Sequence, residues 1–181
     1  EKRFSEIAER YCGKMFEFEV TNELFVVKER KTVLARKRGI INICFELARK
    51  YFPNEKLTIN EANPIPDIAR LDYYSPYFLQ CENLLNQGVP IDRIGLQNHL
   101  FVGASSRTPE SYEAQMRERY YWNDPFMYYR ALDVMAELGK PLEITEATVP
   151  TFGTSEADEE LQADMLRLWV SIWFSHPAVD A

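Results

Sequence analysis

The sequence predicts an α/β fold with a parallel sheet, built from four strand–helix units. Strand-like and helix-like patterns of apolar residues alternate along the chain. The strand ends recur at intervals of about forty residues, which is enough for one strand, a crossover helix and the connecting turns. The chain has 181 residues, enough for about one domain with a buried core.

The first two units lie in the N-terminal half of the chain. The first strand, at about Lys14–Glu23, alternates polar and apolar residues and is followed by a helix over Thr32–Tyr51. The second strand, Leu57–Asn60, leads into a helix over about Tyr74–Asn86. Gly88 ends that helix, since glycine readily adopts the left-handed conformation found after helix C-termini.

The third and fourth units follow the same plan. The third strand, Ile91–His99, is followed by a longer segment and then by a helix over roughly Pro125–Leu138. The fourth strand is Leu142–Ala147, and its helix runs from about Ala157 to Phe174. A doubly wound open sheet would have the same alternation, but no strand is followed by a Gly-rich phosphate loop. Half of a (β/α)8 TIM barrel is therefore the better interpretation.

Polar side chains end all four predicted strands, at Glu23, Asn60, His99 and Glu146. In a parallel βα array the strand ends gather on one face, so two carboxylates far apart in sequence can meet across one pocket. Two carboxyl groups in one pocket are the catalytic groups that glycoside hydrolysis needs. The strand ends thus make Glu23 and Glu146 candidate catalytic residues.

Taken one at a time, these residues leave other interpretations open. Asn22 beside Glu23 could hold a sugar hydroxyl while the acid donates a proton, but a glutamate at a strand end is also often a helix N-terminal charge. Glu146 could equally be a surface carboxylate. Gln97 and His99 end the third strand, where the histidine could hydrogen-bond a catalytic carboxylate or be a satisfied structural residue.

Composition excludes several classes of partner. The net charge of −7 gives no electrostatic reason for binding nucleic acid or an anionic membrane. The one basic run, Lys28–Arg38, is interpreted as the solvated start of a helix. No apolar stretch approaches the roughly 18 residues needed to span a bilayer. The three cysteines, Cys12, Cys44 and Cys81, lack metal-ligand spacing and are expected to be buried and reduced.

Four motifs together resemble one family. They are Phe18–Glu23 (FEVTNE), Leu57–Asn63 (LTINEAN), Gly88–His99 (GVPIDRIGLQNH) and Ile144–Glu146 (ITE). The set is similar to glycoside hydrolase family 10, the endo-β-1,4-xylanases. Those enzymes carry Trp-Asp-Val-Val-Asn-Glu, Asn-Asp-Tyr-Asn, Gly-Val-Pro-Ile-Asp-x-Ile-Gly-x-Gln-x-His and Ile-Thr-Glu-Leu-Asp on barrel strands four to seven. The motifs occur here in the same order, and the third is the most specific.

The resemblance implies a retaining glycosidase that cleaves plant cell-wall xylan. Glu23 matches the acid/base and Glu146 the nucleophile. Four further residues match positions that bind the sugar or the nucleophile: Asn22, Asn60, Gln97 and His99. In a retaining enzyme the two carboxyls should lie about 5–5.5 Å apart. The chemistry implies no metal or other cofactor, and a polysaccharide is the expected partner, with no obligate protein partner.

The chain departs from the family motifs in three places. Phe18-Glu19 replaces Trp-Asp, which puts a longer acid beneath the acid/base. Glu61-Ala62 replaces Asp-Tyr and removes an aromatic contact near the substrate. Thr148 replaces the Asp that pairs with the sixth-strand histidine, so His99 is expected to lose an acidic partner. A shifted pH optimum or weakened activity would follow.

The resemblance implies that residues 1–181 form one partial catalytic domain. The chain starts within a helical pattern, matches strands four to seven, and is expected to lack the first three units and the eighth strand. Four parallel strands alone would leave two unpaired edges and an apolar inner face, so the isolated chain is predicted to be poorly soluble, self-associating or inactive. Because polymeric substrates cannot enter cells, the parent protein is expected to be secreted or periplasmic.

Two alternatives stay open. A related TIM-barrel glycosidase with another β-glycan as substrate would use the same pair of glutamates, although Gln97 and His99 favour a xylanase. A catalytically inactive carbohydrate-binding relative would explain Ala62 and Thr148.

Overall fold

The sheet of the computed structural model has four parallel strands in the order β1-β2-β3-β4. The strands are β1 (Glu17–Asn22), β2 (Lys56–Glu61), β3 (Arg93–His99) and β4 (Leu142–Thr148). Among the residues that the structure describes, six α-helices accompany them: α1 (Lys2–Tyr11), α2 (Ile40–Tyr51), α3 (Ile65–Leu71), α4 (Pro76–Asn86), α5 (Pro125–Ala136) and α6 (Glu156–Ser175). The structure describes residues 1–24, 33, 36–100, 124–151 and 154–180. The predicted α/β fold with a parallel sheet is confirmed.

Two helices differ from the prediction. The helix predicted over Thr32–Tyr51 begins at Ile40, because Gly39 has a φ of 71° and a left-handed residue ends the helical run. The basic residues at 36–38 and Val33 are exposed turn residues, and residues 32, 34 and 35 of the predicted helix lie outside the described residues. Helix α3 was not predicted. Pro64 and Pro66 lie at its start, where proline is tolerated because the first amides of a helix need no partner within it.

Side-chain caps fix the starts of the last two helices. Asp124 accepts hydrogen bonds from the backbone N–H of Phe126 and Met127 at the start of α5. Ser155 and Asp158 form a reciprocal capping box at the start of α6. Both helices therefore begin within about two residues of the starts that the sequence pattern predicts.

The hydrophobic core lies between the sheet and the helices. Alternate strand residues face this layer, among them Leu57, Ile59, Ile94, Leu96 and Leu142. They pack with buried helix residues such as Phe45, Tyr128 and Trp169. Since successive strand side chains point to opposite faces, the intervening residues line the other face of the sheet.

That inner face is polar, which corrects the expectation of an apolar one. It carries Thr58, Asn60, Arg93, Gln97 and Glu143, all of them buried. Thr58 and Arg93 contact Glu143 across the strands, and Gln97 contacts Glu146. An exposed apolar inner face is therefore no longer a reason to expect poor solubility. The poor solubility of the isolated chain remains a prediction.

The last described residues reach a fifth strand position. Leu142 donates its N–H to the carbonyl of Ala178 at 2.8 Å, and Asp180 donates to the carbonyl of Leu142 at 2.9 Å. Val179 and Leu142 form a parallel bridge. Backbone pairing thus begins beyond β4, where the resemblance led us to expect no further strand.

The cysteines only partly match the prediction. All three are free, and Cys81 is buried, but Cys12 is exposed just after α1 and Cys44 is half-buried. Within the described ranges, the structure contains no helix that is both long and apolar enough to cross a membrane.

Candidate active site

Two irregularities in the sheet shape the edge where the strands end. The pairing of β1 with β2 shifts register between Glu19 and Thr21, and the pairing of β3 with β4 shifts between Gly95 and Gln97. Beyond the second shift, Gln97 pairs with Glu146. Bulges of this kind re-aim side chains and are common next to active sites.

Glu23 follows β1 in an unusual backbone conformation. Its φ is 55°, in the left-handed region that non-glycine residues seldom occupy. Its N–H donates to the carbonyl of Asn60 at 3.2 Å, which ties this turn to the next strand. Such conformations cost of order 1 kcal/mol or more and tend to occur at functional sites.

Gln97 is the centre of the site. Its Nε2 lies 2.9 Å from Oδ1 of Asn22, 3.0 Å from Oε1 of Glu23 and 2.9 Å from Oε1 of Glu146. An amide nitrogen has two hydrogens, so the three acceptors share them. The Gln97 side chain is fully buried, and its position is fixed by the residues that it joins.

The two candidate carboxylates are close together. Because Glu23 and Glu146 both contact the same nitrogen, their Oε1 atoms cannot lie more than about 6 Å apart, a bound that accommodates the spacing of about 5–5.5 Å between carboxyls in retaining glycosidases. The shared contact with Gln97 thus brings the two carboxylates close together at the end of the sheet.

His99 contacts the other oxygen of Glu146. Its Nε2 lies 3.4 Å from Oε2 of Glu146, and its Nδ1 lies 2.8 Å from Oγ1 of Thr148. The backbone N–H of His99 donates to the side chain of Asn63 at 2.9 Å. The imidazole is thus held between two residues of β4.

A second layer of polar residues supports the site from below. Asn60 donates from Nδ2 to Glu19 at 2.8 Å and to Asn22 at 3.3 Å, and its Oδ1 accepts from Thr145 at 2.8 Å. Only 1% of Asn60 is exposed, and it contacts Asn22 from below; its part in substrate binding remains a prediction. Gly95 makes room for this layer, because a Cβ there would lie 2.6 Å from Oδ1 of Asn60.

Glu19 adds a third carboxylate near Glu23 and Glu146. Partial burial raises its pKa, and the charges of Glu146, Glu17 and Glu23 raise it further, while the hydrogen bond from Asn60 lowers it. The proton therefore binds Glu19 more tightly than it binds a free glutamate. This residue is the longer acid noted as a departure from the family motif.

A charged layer fills the opposite, N-terminal end of the inner face. Arg93 pairs with Glu143 and Asp180, and its Nε lies 3.8 Å from Glu17. Burial raises the pKa of Glu143 to about 7; neighbouring Glu17 also raises it and Arg93 lowers it. The Thr58 hydroxyl lies within hydrogen-bonding distance of both Glu17 and Glu143.

The predicted site residues come together at one end of the sheet. Asn22, Glu23, Gln97 and Glu146 are joined through one amide nitrogen, His99 contacts Glu146, and Asn60 lies beneath them. Sequence reasoning missed Thr145 and Gly95. Both lie within the matched motifs, but nothing in a single sequence shows that the one must bond Asn60 and the other must leave space for it.

This arrangement can support acid/base and nucleophilic chemistry. One carboxylate, Glu146, has both oxygens in contact with side-chain nitrogens, Oε1 with Gln97 and Oε2 with His99, and these contacts fix its orientation. The other, Glu23, lies close to it through the shared contact with Gln97 Nε2, so one carboxyl group can act as acid or base while the other acts as nucleophile.

Comparison with known proteins gives a family and a set of relatives. The family model described as Glycosyl hydrolase family 10 matches residues 1–179. An endo-1,4-beta-xylanase 2 of Claviceps purpurea is 36% identical over 109 residues, which cover 58% of this chain and 33% of that protein. An endo-1,4-beta-xylanase 3 of Arabidopsis thaliana is 25% identical over 182 residues, covering 99% of this chain and 20% of that protein.

Solved structures show the same fold. Native xylanase 10B from Thermotoga maritima superposes with a TM-score of 0.71 at 20% identity, over 98% of this chain and 50% of that one. Xylanase 10B from Thermotoga petrophila, solved in complex with xylobiose, gives a TM-score of 0.71 at 18% identity with the same coverage. The chain thus spans about half of the length of these structures and about a third of the Claviceps relative. The prediction of a partial TIM barrel is confirmed.

Proposed function

The chain belongs to glycosyl hydrolase family 10, and from this premise we propose that its parent protein is a retaining endo-β-1,4-xylanase that cleaves plant cell-wall xylan. The observation that carries the proposal is the shared contact of Gln97 Nε2 with Glu23 and Glu146, which brings two carboxylates close together, as a double-displacement mechanism requires. The names of the relatives, all endo-1,4-beta-xylanases, supply the substrate class.

In the first step Glu146 is the nucleophile. Its carboxylate attacks the anomeric carbon from one face of the sugar while Glu23, protonated, donates its proton to the departing glycosidic oxygen. The glycosidic bond breaks as the bond from Glu146 to the anomeric carbon forms. A covalent glycosyl–enzyme remains, and Glu23 is left as a carboxylate.

In the second step Glu23 acts as the base. It takes a proton from a water molecule that attacks the anomeric carbon on the face from which the first leaving group departed. The bond to Glu146 breaks, and the product has the configuration of the substrate. Two inversions at one carbon give net retention.

The surrounding residues have distinct roles in this scheme. Gln97 and His99 each contact one oxygen of Glu146 and fix the orientation of its carboxylate for attack. Asn22 lies beside Glu23 at the exposed end of β1, where its amide can bond a sugar hydroxyl. Asn60 holds Asn22 in place. These reactions need no metal or organic cofactor, and the polymeric substrate favours export of the parent protein.

The test is hydrolysis by the full-length protein of soluble xylan and of an aryl β-xylobioside, with the anomer of the first product followed by NMR. We expect xylo-oligosaccharides that first appear with the β configuration. Equal turnover of mixed-linkage glucan or cello-oligosaccharides would assign another β-glycan as substrate. Xylan binding without turnover would instead assign a carbohydrate-binding relative without activity.

A further inference from the structure

Thr148 lies two residues after Glu146 on the same strand and on the same side of the sheet. In the ladder between β3 and β4, Gln97 pairs with Glu146 and His99 pairs with Thr148. The two rungs together place the imidazole of His99 between the Thr148 hydroxyl, 2.8 Å from Nδ1, and the Glu146 carboxylate, 3.4 Å from Nε2. The His99 side chain is 12% exposed, so neighbouring side chains rather than solvent set its orientation.

The chemistry of the two neighbours selects one form of the ring. A carboxylate only accepts hydrogen bonds, so Nε2 must carry a hydrogen to bond an ionised Glu146. In neutral histidine the other nitrogen is then an acceptor, and it needs a donor. The hydroxyl of Thr148 is a donor at the right distance from Nδ1.

The opposite arrangement is unfavourable. If Nδ1 carried the hydrogen and donated to Thr148, the lone pair of Nε2 would face the Glu146 carboxylate, and two acceptors at 3.4 Å repel. If an acceptor-only group stood in place of Thr148, both ring nitrogens of His99 would face acceptors. Both could then donate hydrogen bonds only in the protonated, cationic ring. A hydroxyl instead lets a neutral ring donate to Glu146.

We propose that Thr148 is a positioning residue, whose hydroxyl donates to Nδ1 of His99 and so fixes the neutral Nε2–H tautomer, with its hydrogen directed at Oε2 of Glu146, 3.4 Å from Nε2. Its catalytic role rests on the proposed function, since it acts by orienting the nucleophile. The hydrogen bond itself does not depend on that function.

The test uses the full-length protein with Thr148→Val, which keeps the shape but removes the hydroxyl, and Thr148→Ser, which keeps the hydroxyl. With an activated aryl β-xylobioside we expect Thr148→Val to lower kcat/KM on the order of tenfold, the effect of losing one orienting hydrogen bond, and Thr148→Ser to stay within about twofold of wild type. Comparing the two variants distinguishes the loss of the hydroxyl from the loss of packing at this position. Equal rates for all three proteins, or equal losses in both variants, would overturn the proposal.

A second measurement keeps the proposal testable if the parent protein does not hydrolyse xylosides. The ¹⁵N NMR spectrum of histidine-labelled protein, with His99 assigned by comparison with His99→Asn, reports which ring nitrogen carries hydrogen. We expect hydrogen on Nε2 and a free acceptor at Nδ1 at neutral pH, with the Nδ1 signal displaced in Thr148→Val. Hydrogen on Nδ1 in the neutral ring, or a ring signal that Thr148→Val leaves unchanged, would contradict it.

Discussion

Gln97 and Glu146 are joined side chain to side chain, with Nε2 of Gln97 2.9 Å from Oε1 of Glu146 across neighbouring strands. The same nitrogen reaches Glu23, at 3.0 Å. One buried amide therefore sets both the orientation of the proposed nucleophile and its distance from the proposed acid. The predictions below follow from this link and from the layers beneath it.

Replacing Gln97 should disable the site without unfolding the protein. In Gln97→Leu, the carboxylates of Glu23 and Glu146 lose their shared donor, and we expect kcat/KM on xylan to fall about 10²-fold, as for loss of one preorganised donor. Steady-state kinetics of the full-length protein, with circular dichroism to confirm folding, measures this.

The next residue supplies a matched control. Asn98 is buried, and neither of its side-chain amide atoms has a hydrogen-bond partner in the part of the chain that the structure describes. Asn98→Leu removes this unsatisfied group, so activity should be kept and stability should be unchanged or increased. Equal losses of activity in Gln97→Leu and Asn98→Leu would contradict the role given to Gln97.

Glu23→Gln should show a loss of activity that depends on the leaving group. Xylan needs a proton on the departing oxygen, whereas a dinitrophenolate leaves without one. We expect kcat/KM, which reports the first step, to fall by about 10²–10⁴-fold on xylan and far less on a dinitrophenyl β-xylobioside. The same loss on both substrates would show that Glu23 is not the acid.

Much of this site could be predicted from sequence, and the reason is topological. Glu23, Gln97, His99 and Glu146 each lie at or near the C-terminal end of a strand, so the rule that parallel strand ends share one face brings them together without any coordinates. The polar inner face was not predicted, because strands buried on both faces give no single apolar alternation from which to assign a face. The start of α2 was also placed too early, since a single glycine decided it.

The polar layer around Asn60, beneath the site, depends on packing distances that a sequence does not contain. The substitution Gly95→Ala tests this layer. In Gly95→Ala the new Cβ would lie 2.6 Å from Asn60 and 2.8 Å from Cγ2 of Thr145, so we expect a loss of about 1–3 kcal/mol in the free energy of unfolding and reduced activity. Urea denaturation of the full-length protein measures the first effect.

A double variant shows whether the clash is the cause. Asn60→Ala removes the side chain that the new methyl group would meet, so Gly95→Ala should destabilise the Asn60→Ala protein less than it destabilises the wild type. Strictly additive losses would mean that Gly95 matters for another reason.

Glu143 should make stability depend on pH. Burial raises its pKa from 4.5 to about 7, so the folded state binds this proton more tightly than the unfolded state does. The resulting stabilisation is present at low pH and is lost as the pH rises from about 4.5 to about 7. In Glu143→Gln, the free energy of unfolding should therefore fall less between pH 5 and pH 7 than in wild type.

The matched control for this prediction is Glu82→Gln, at an exposed glutamate on α4. It should leave the pH dependence of the free energy of unfolding as in wild type. If Glu82→Gln and Glu143→Gln change that dependence equally, the buried layer around Arg93 is not its source.

The most direct test of the account is covalent trapping of the nucleophile. The full-length protein would be incubated with an activated 2-fluoro-β-xylobioside, which slows the second step, and the labelled peptide would be identified by mass spectrometry. The account predicts one fluoroglycosyl group per protein, attached to Glu146, and no label in Glu146→Gln. A label on another residue, or hydrolysis of xylan with inversion and no label, would contradict it.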